Sequence, residues 1–162
     1  MLRPIGILIG FAIGLSGCGI EKQQTCLNSK IEAARRAVKI MDSLVAIATS
    51  NSTNNLSPQT QAKTRNLIAQ LKTVNELTCV ACFCFEAAFP QPDETADFDM
   101  VMEDAAWAAC EALAARTDDE AAEALLKLKS RYGTDAGNSL SFNKLISQQR
   151  KARGESTDEY LY

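Results

Sequence analysis

Over residues 26–49, apolar side chains return at Leu27, Ile31, Ala34, Val38, Met41, Val45 and Ala48, spaced alternately by four and three. An α-helix turns once in about 3.6 residues, so this spacing predicts a helix with an apolar seam at a heptad period. Ile40, Leu44 and Ile47 widen the seam on one side, which suits a bundle core better than a narrow two-stranded coil. Arg35, Arg36 and Lys39 fall off the seam and give the helix a positive face. A polar loop follows at residues 50–55. Ser57 is then placed to cap a second helix, with Pro58 at its first position, where the missing N–H costs nothing. Leu67, Leu71 and Val74 give that helix its apolar face, and Pro90 and Pro92 stop it, so it is expected to run to about Ala88.

The same reading continues to the C-terminus. The segment Cys79 to Phe85 alternates enough to fit a short strand, but Val74, Ala81, Phe85 and Ala88 keep one helical face, and helix is the better reading. A third helix is expected to begin near Asp93 to Asp97, whose carboxylates suit a helix N-terminus, and to carry Phe98, Val101, Ala105, Ala108, Ala112 and Ala115. Its alanines imply close approach to a neighbouring axis. Thr117-Asp118-Asp119-Glu120 reads as a capping box opening a fourth helix through Leu125, Leu126 and Leu128, closed by Gly133. A shorter fifth helix starts at Asn138 or Ser139, with Phe142, Leu145 and Ile146 on its face and Gly154 at its end. The expected fold is all-α: an antiparallel bundle of four main helices plus a short fifth over residues 26–153, stapled by disulfides, with a flexible tail at 154–162.

The first residues have a different character. One positive side chain, Arg3, precedes an apolar run over residues 5–13 and then small residues, the layout of an export signal. The run is too short to span a bilayer, which takes about 20 apolar residues in a helix. It ends in Leu15-Ser16-Gly17-Cys18, which resembles the lipobox of bacterial exported lipoproteins at all four positions. The resemblance covers only the first eighteen residues. It implies a cleaved signal peptide at 1–17, diacylglycerol and palmitate-type acyl groups on Cys18, and a lipidated tether at 18–25. At about 0.8 kcal/mol per buried CH₂, two or three acyl chains anchor stably where one is marginal. Gly19 in place of Asp, by resemblance to enterobacterial lipoproteins, favours the periplasmic face of the outer membrane.

Removing residues 1–17 leaves 145, enough for one domain with a core. Lys and Arg number 17 against 20 Asp and Glu, and the signs come in blocks. Residues 18–78 hold eight basic and four acidic side chains, 79–126 one and twelve, and 127–153 seven and one. Complementary packing of helix faces accounts for such blocks; a basic face for head groups or an acidic face for a cationic partner is the functional alternative. Five cysteines follow Cys18: Cys26, Cys79, Cys82, Cys84 and Cys110. In an exported chain these are disulfide candidates, and the odd number leaves at least one unpaired within the chain. A hairpin turning midway between residues 50 and 57 sets Cys26 level with position 81, between Cys79 and Cys82, whereas Cys110 falls about 13 Å along the axis from Cys82. The alternatives are a thiol-redox or metal-handling site at Cys79-x-x-Cys82-x-Cys84. The first would want strands around the motif, and the second needs Cys26 or Cys110 as a fourth ligand.

The chain has no histidine, so the usual general base and the commonest transition-metal ligand are missing. Asp97, Asp99, Glu103 and Asp104 form the one dense carboxylate group and fit a helix start better than a catalytic pair. There is no glycine-rich phosphate loop, Trp107 reads as core, and Arg150, Lys151 and Arg153 lack the interleaved aromatics of a nucleic-acid surface. The sequence therefore leads to a non-enzymatic, lipid-anchored envelope protein without cofactor, metal or nucleic-acid partner. Its helical domain would bind another envelope protein, as a component or accessory of a secretion, conjugation or exclusion assembly.

Overall fold

The computed structural model describes residues 18–51, 56–89 and 99–155, with backbone alone over 18–27. The signal segment, the tail beyond Glu155 and the expected third-helix start at Asp93 to Asp97 lie outside the described residues. Among those described there are six α-helices and no strand: α1 (Cys18–Ser50), α2 (Pro58–Ile68), α3 (Val74–Ala88), α4 (Met100–Ala114), α5 (Asp119–Tyr132) and α6 (Ala136–Ala152). The all-α expectation holds, with three changes in the elements.

The expected second helix is two. Ser57 caps α2 as anticipated, its Oγ accepting the Thr60 N–H at 3.1 Å. The chain then turns, because Thr73 and Glu76 form a capping box: Thr73 Oγ1 accepts the Glu76 N–H at 3.2 Å, and the Glu76 carboxylate accepts the N–H groups of Thr73 and Lys72 at 2.7 and 2.8 Å. A new helix start is thus built where a continuous helix would have left these donors to the previous turn.

The fifth helix is not short. Asp135 Oδ1 accepts the Asn138 N–H at 2.9 Å, so α6 begins at Ala136 and runs for 17 residues. At the fourth expected helix the cap is Asp118 and not Thr117, its Oδ1 accepting the Ala121 N–H at 2.9 Å. Gly133 closes α5 as expected. A Cβ there would stand 2.7 Å from the Lys129 carbonyl oxygen and 3.3 Å from the Phe142 ring. The third change is at the start: α1 is 33 residues long and includes the segment after Cys18 that had been expected as a tether.

Helix α4 is the hub and packs against α1, α2, α3, α5 and α6. Its direction relative to each follows from paired contacts. Arg116 at its end donates to the Lys72 carbonyl before α3, and Trp107 meets Phe85 near the end of α3, so α3 and α4 are antiparallel. Gln61 and Arg65 of α2 reach Asp104 and Glu111 in the same order, so α2 and α4 run parallel. Ala105, Ala106, Ala108 and Ala109 of α4 are buried, whereas Ala112 is half-buried and Ala115 exposed, so the expected alanine face is covered over its first half. Two fully buried rings, Phe85 and Phe142, sit at the centre with the half-buried Trp107 and Tyr132 around them and the exposed Phe89 at the edge. Phe85 lies 4.7 Å from Tyr132, 5.2 Å edge-on to Trp107 and 5.9 Å from Phe142 between ring centroids, and Phe89 stacks beside it at 6.3 Å.

Two expectations about α1 and the cysteines are corrected. The heptad seam is not the core face: α1 buries Ala37, Ile40 and Leu44, while Ile31, Val38 and Val45 remain 41, 52 and 42% exposed. The bundle covers α1 from one side only, through α2, α3 and α4, and that side falls on the flank that widens the seam. The expected staple is also absent from the described residues, where Cys79, Cys82, Cys84 and Cys110 are all thiols. Arg36 of α1 bonds Glu76 of α3 at 2.6 Å, and Lys30 shares a groove with Cys79, so these two helices run antiparallel.

Candidate functional site

The three cysteines of α3 meet three different environments, and Cys82 and Cys84, two apart, point to opposite sides of the helix. Cys79 is exposed and stands at the edge of a groove of about 510 Å³ between α1 and α3, formed with Lys30, Ala34, Val38, Met41 and Asn75. Cys82 is half-buried on the side facing α5, where the Tyr132 hydroxyl lies 3.4 Å from its carbonyl oxygen. Cys84 is fully buried.

Cys110, expected about 13 Å along the axis from Cys82, comes beside Cys82 and Cys84. The Arg116–Lys72 and Trp107–Phe85 contacts bracket it, so it stands level with the turn that carries Cys79 and Cys82. The register of α3 against α4 differs from that of a symmetrical hairpin, and the two helices overlap further.

This cluster is poorly suited to thiolate chemistry. Burial, with the Asp99 carboxylate adding to it, pushes the Cys84 thiol up to about 12. Burial raises Cys110 further, helped by Cys82, Glu111 and Cys84. Thiols held neutral at physiological pH are neither nucleophiles nor ready metal ligands. Among the described residues no group of three or more Cys, Asp or Glu side chains is arranged to hold a metal ion.

The carboxylates are used structurally. Asp99 caps α4, its Oδ1 accepting the Val101 and Met102 N–H groups at 2.9 and 3.2 Å. Asp104 accepts from Gln61 at 3.0 Å and from Arg65 at 3.5 Å, and Arg65 also donates to Glu111 at 2.8 Å. Glu103 sits in the first turn of α4, and Asp97 lies outside the described residues. Of the basic C-terminal group, Arg153 pairs with Asp119 and, at 2.7 Å, with Glu155. The blocks of opposite charge thus meet in part across helix faces, as the packing alternative required.

Two polar residues that the sequence argument passed over are among the most deeply placed. Glu76, 2% exposed, combines the capping box with the Arg36 ion pair. Burial works to raise its carboxyl. The Lys72 N–H, the Arg36 guanidinium and the Thr73 N–H outweigh that and hold it below the usual carboxylate range. Gln149 is 1% exposed and donates through Nε2 to the carbonyls of Leu113 and Arg116, both at 3.0 Å, so α6 closes the C-terminal end of α4. Thr73-x-x-Glu76 was a readable signal; Gln149 carries none.

Cys18, the first described residue, lies in α1, and no described helix is long and apolar enough to cross a membrane. No family model matches the chain, and no curated protein or solved structure is similar to it.

Proposed function

We propose that the chain is a lipid-anchored protein of the bacterial cell envelope whose helical domain acts by binding and performs no catalysis. The observation that carries this reading is Leu15-Ser16-Gly17-Cys18 after a short apolar run, the pattern of a lipoprotein signal. Gly19 directs the protein to the periplasmic face of the outer membrane. The domain serves there as a component or accessory of an envelope assembly of the secretion, conjugation or exclusion type, by contact with another envelope protein.

Thiol chemistry is the weaker reading, since two of the four described thiols are buried and held neutral. Structural oxidation fits the compartment better, and helix register brings Cys110 beside Cys82 and Cys84 as candidates for a staple. Intact mass of the chain from a membrane fraction, before and after reduction and alkylation, tests both. The anchored reading expects residues 18–162 plus acyl chains, and an unacylated or uncleaved chain would overturn it. Crosslinking in intact envelopes should recover a second envelope protein; capture of nothing but copies of this chain would remove the accessory role.

A further inference from the structure

The longest helix keeps an unused face. Ile31, Ala34, Val38, Met41, Val45 and Ala48 follow the heptad spacing for nearly three repeats, and the bundle leaves Ile31, Val38 and Val45 between 41 and 52% exposed. An isolated amphipathic helix needs only a loose apolar stripe to lie on its own core. Met41 and Ala48 are half-buried at the margin of that core, while Ile31, Ala34, Val38 and Val45 are exposed, and a regular alternation of three and four that runs beyond the edge of the core is the pattern by which helices of two chains interlock.

We propose that this seam is the interface of a homodimer, in which α1 packs antiparallel against α1 of a second copy about a two-fold axis. The side chains on the seam select that arrangement. One antiparallel register places Ile31 against Ala48 of the second copy, Ala34 against Val45 and Val38 against Met41, and the two-fold axis repeats each pair. Every layer then combines a smaller with a larger side chain, as close packing requires. The same register brings Arg35 beside Asp42 of the second copy, twice. Both residues are exposed and lie on the flank of the seam away from the bundle core. Arg35 otherwise bonds Glu32 one turn back on its own helix, at 3.1 Å with both side chains mostly in water, an exchange that costs little. A parallel pair would instead set Lys30 near Arg35 of its partner, where like charges repel. The groove between α1 and α3, to which Ala34, Val38 and Met41 also contribute, borders the seam and admits the edge of the second helix.

This inference goes beyond the proposed function and does not rest on the anchor, because the acyl chains take no part in the interface. Sedimentation equilibrium of the full chain in density-matched detergent micelles tests it. Wild type should be a dimer. Arg35→Asp and Asp42→Arg should each weaken it by about tenfold or more, since each replaces two attractions by two repulsions. The double variant R35D/D42R should recover most of the wild-type affinity. Val38→Asp should leave a monomer whose circular dichroism matches that of wild type, and whose urea midpoint matches it at concentrations where wild type is monomeric, because Val38 is half exposed in the folded chain. A monomeric wild type, or charge reversals whose double variant is no better than the singles, would overturn the proposal. So would a monomer that binds anionic phospholipid vesicles and loses that binding in V38D, which would assign the seam to a lipid surface.

Discussion

Helices α1 and α4 are written in the same apolar rhythm and end in opposite places. In α4, Val101, Ala105 and Ala108 recur at three and four and are buried to between 0 and 6% exposure. In α1, Ile31, Val38 and Val45 recur at seven and stay 41 to 52% exposed. Period sets which residues share a face; the number of neighbouring helices decides whether that face is covered. Five helices surround α4, whose small residues let their axes come close, while α1 touches three helices on one side. The covered face holds the molecule together, and the uncovered one is left for association.

If that division is right, the largest loss of stability comes from truncation beside α4. Phe85→Ala removes the ring at the centre of the aromatic cluster, with Trp107, Tyr132 and Phe142 all within 6 Å of it. A loss of about 4 kcal/mol is expected from the transfer and cavity terms together. Urea unfolding followed by circular dichroism measures it, and a loss under about 2 kcal/mol would mean that this core repacks freely, contrary to its burial.

The next effect belongs to the one strong tie between α1 and the bundle. Glu76→Gln leaves Arg36 without its carboxylate and weakens the α3 cap, and should cost about 2 kcal/mol at pH 7. Its carboxyl titrates lower folded than unfolded, so the contribution is complete above the ordinary carboxylate value near 4.5 and drains as pH falls through the folded value. The difference between wild type and E76Q should therefore shrink in acid. A gap that stayed constant down to pH 3 would show that the charge is not what matters. A smaller loss, about 1.5 kcal/mol, is expected for Gln149→Ala, which leaves the Leu113 and Arg116 carbonyls without their buried donor. Faster amide exchange confined to the end of α4 would locate it.

Most of the helices were legible because their signals are local. Ser57-Pro58 and Gly133 act within a turn of where they stand, and the structure keeps them. Thr73-Val74-Asn75-Glu76 was equally local, but the apolar residues on both sides suggested one continuous helix and hid it. The relations between helices were not legible, because they depend on how far neighbours overlap. Cys110 reached Cys82 and Cys84 through a shift of a few residues that no spacing in the sequence encodes. Gln149 shows the same limit, a polar residue buried because the end of another helix needs donors.

The smallest effect is the most diagnostic for the uncovered face. Val38→Ser removes an apolar side chain that is already half in water, so at concentrations where the chain is monomeric the urea midpoint should move by less than the equivalent of about 0.5 kcal/mol. Association adds free energy to the folded state in proportion to the logarithm of protein concentration, and only wild type should draw on it. The gap between wild type and V38S should therefore open as concentration rises, while the gap between wild type and F85A stays level. A V38S deficit that is large and independent of concentration would place Val38 in the monomer core, and the contrast between α1 and α4 would collapse.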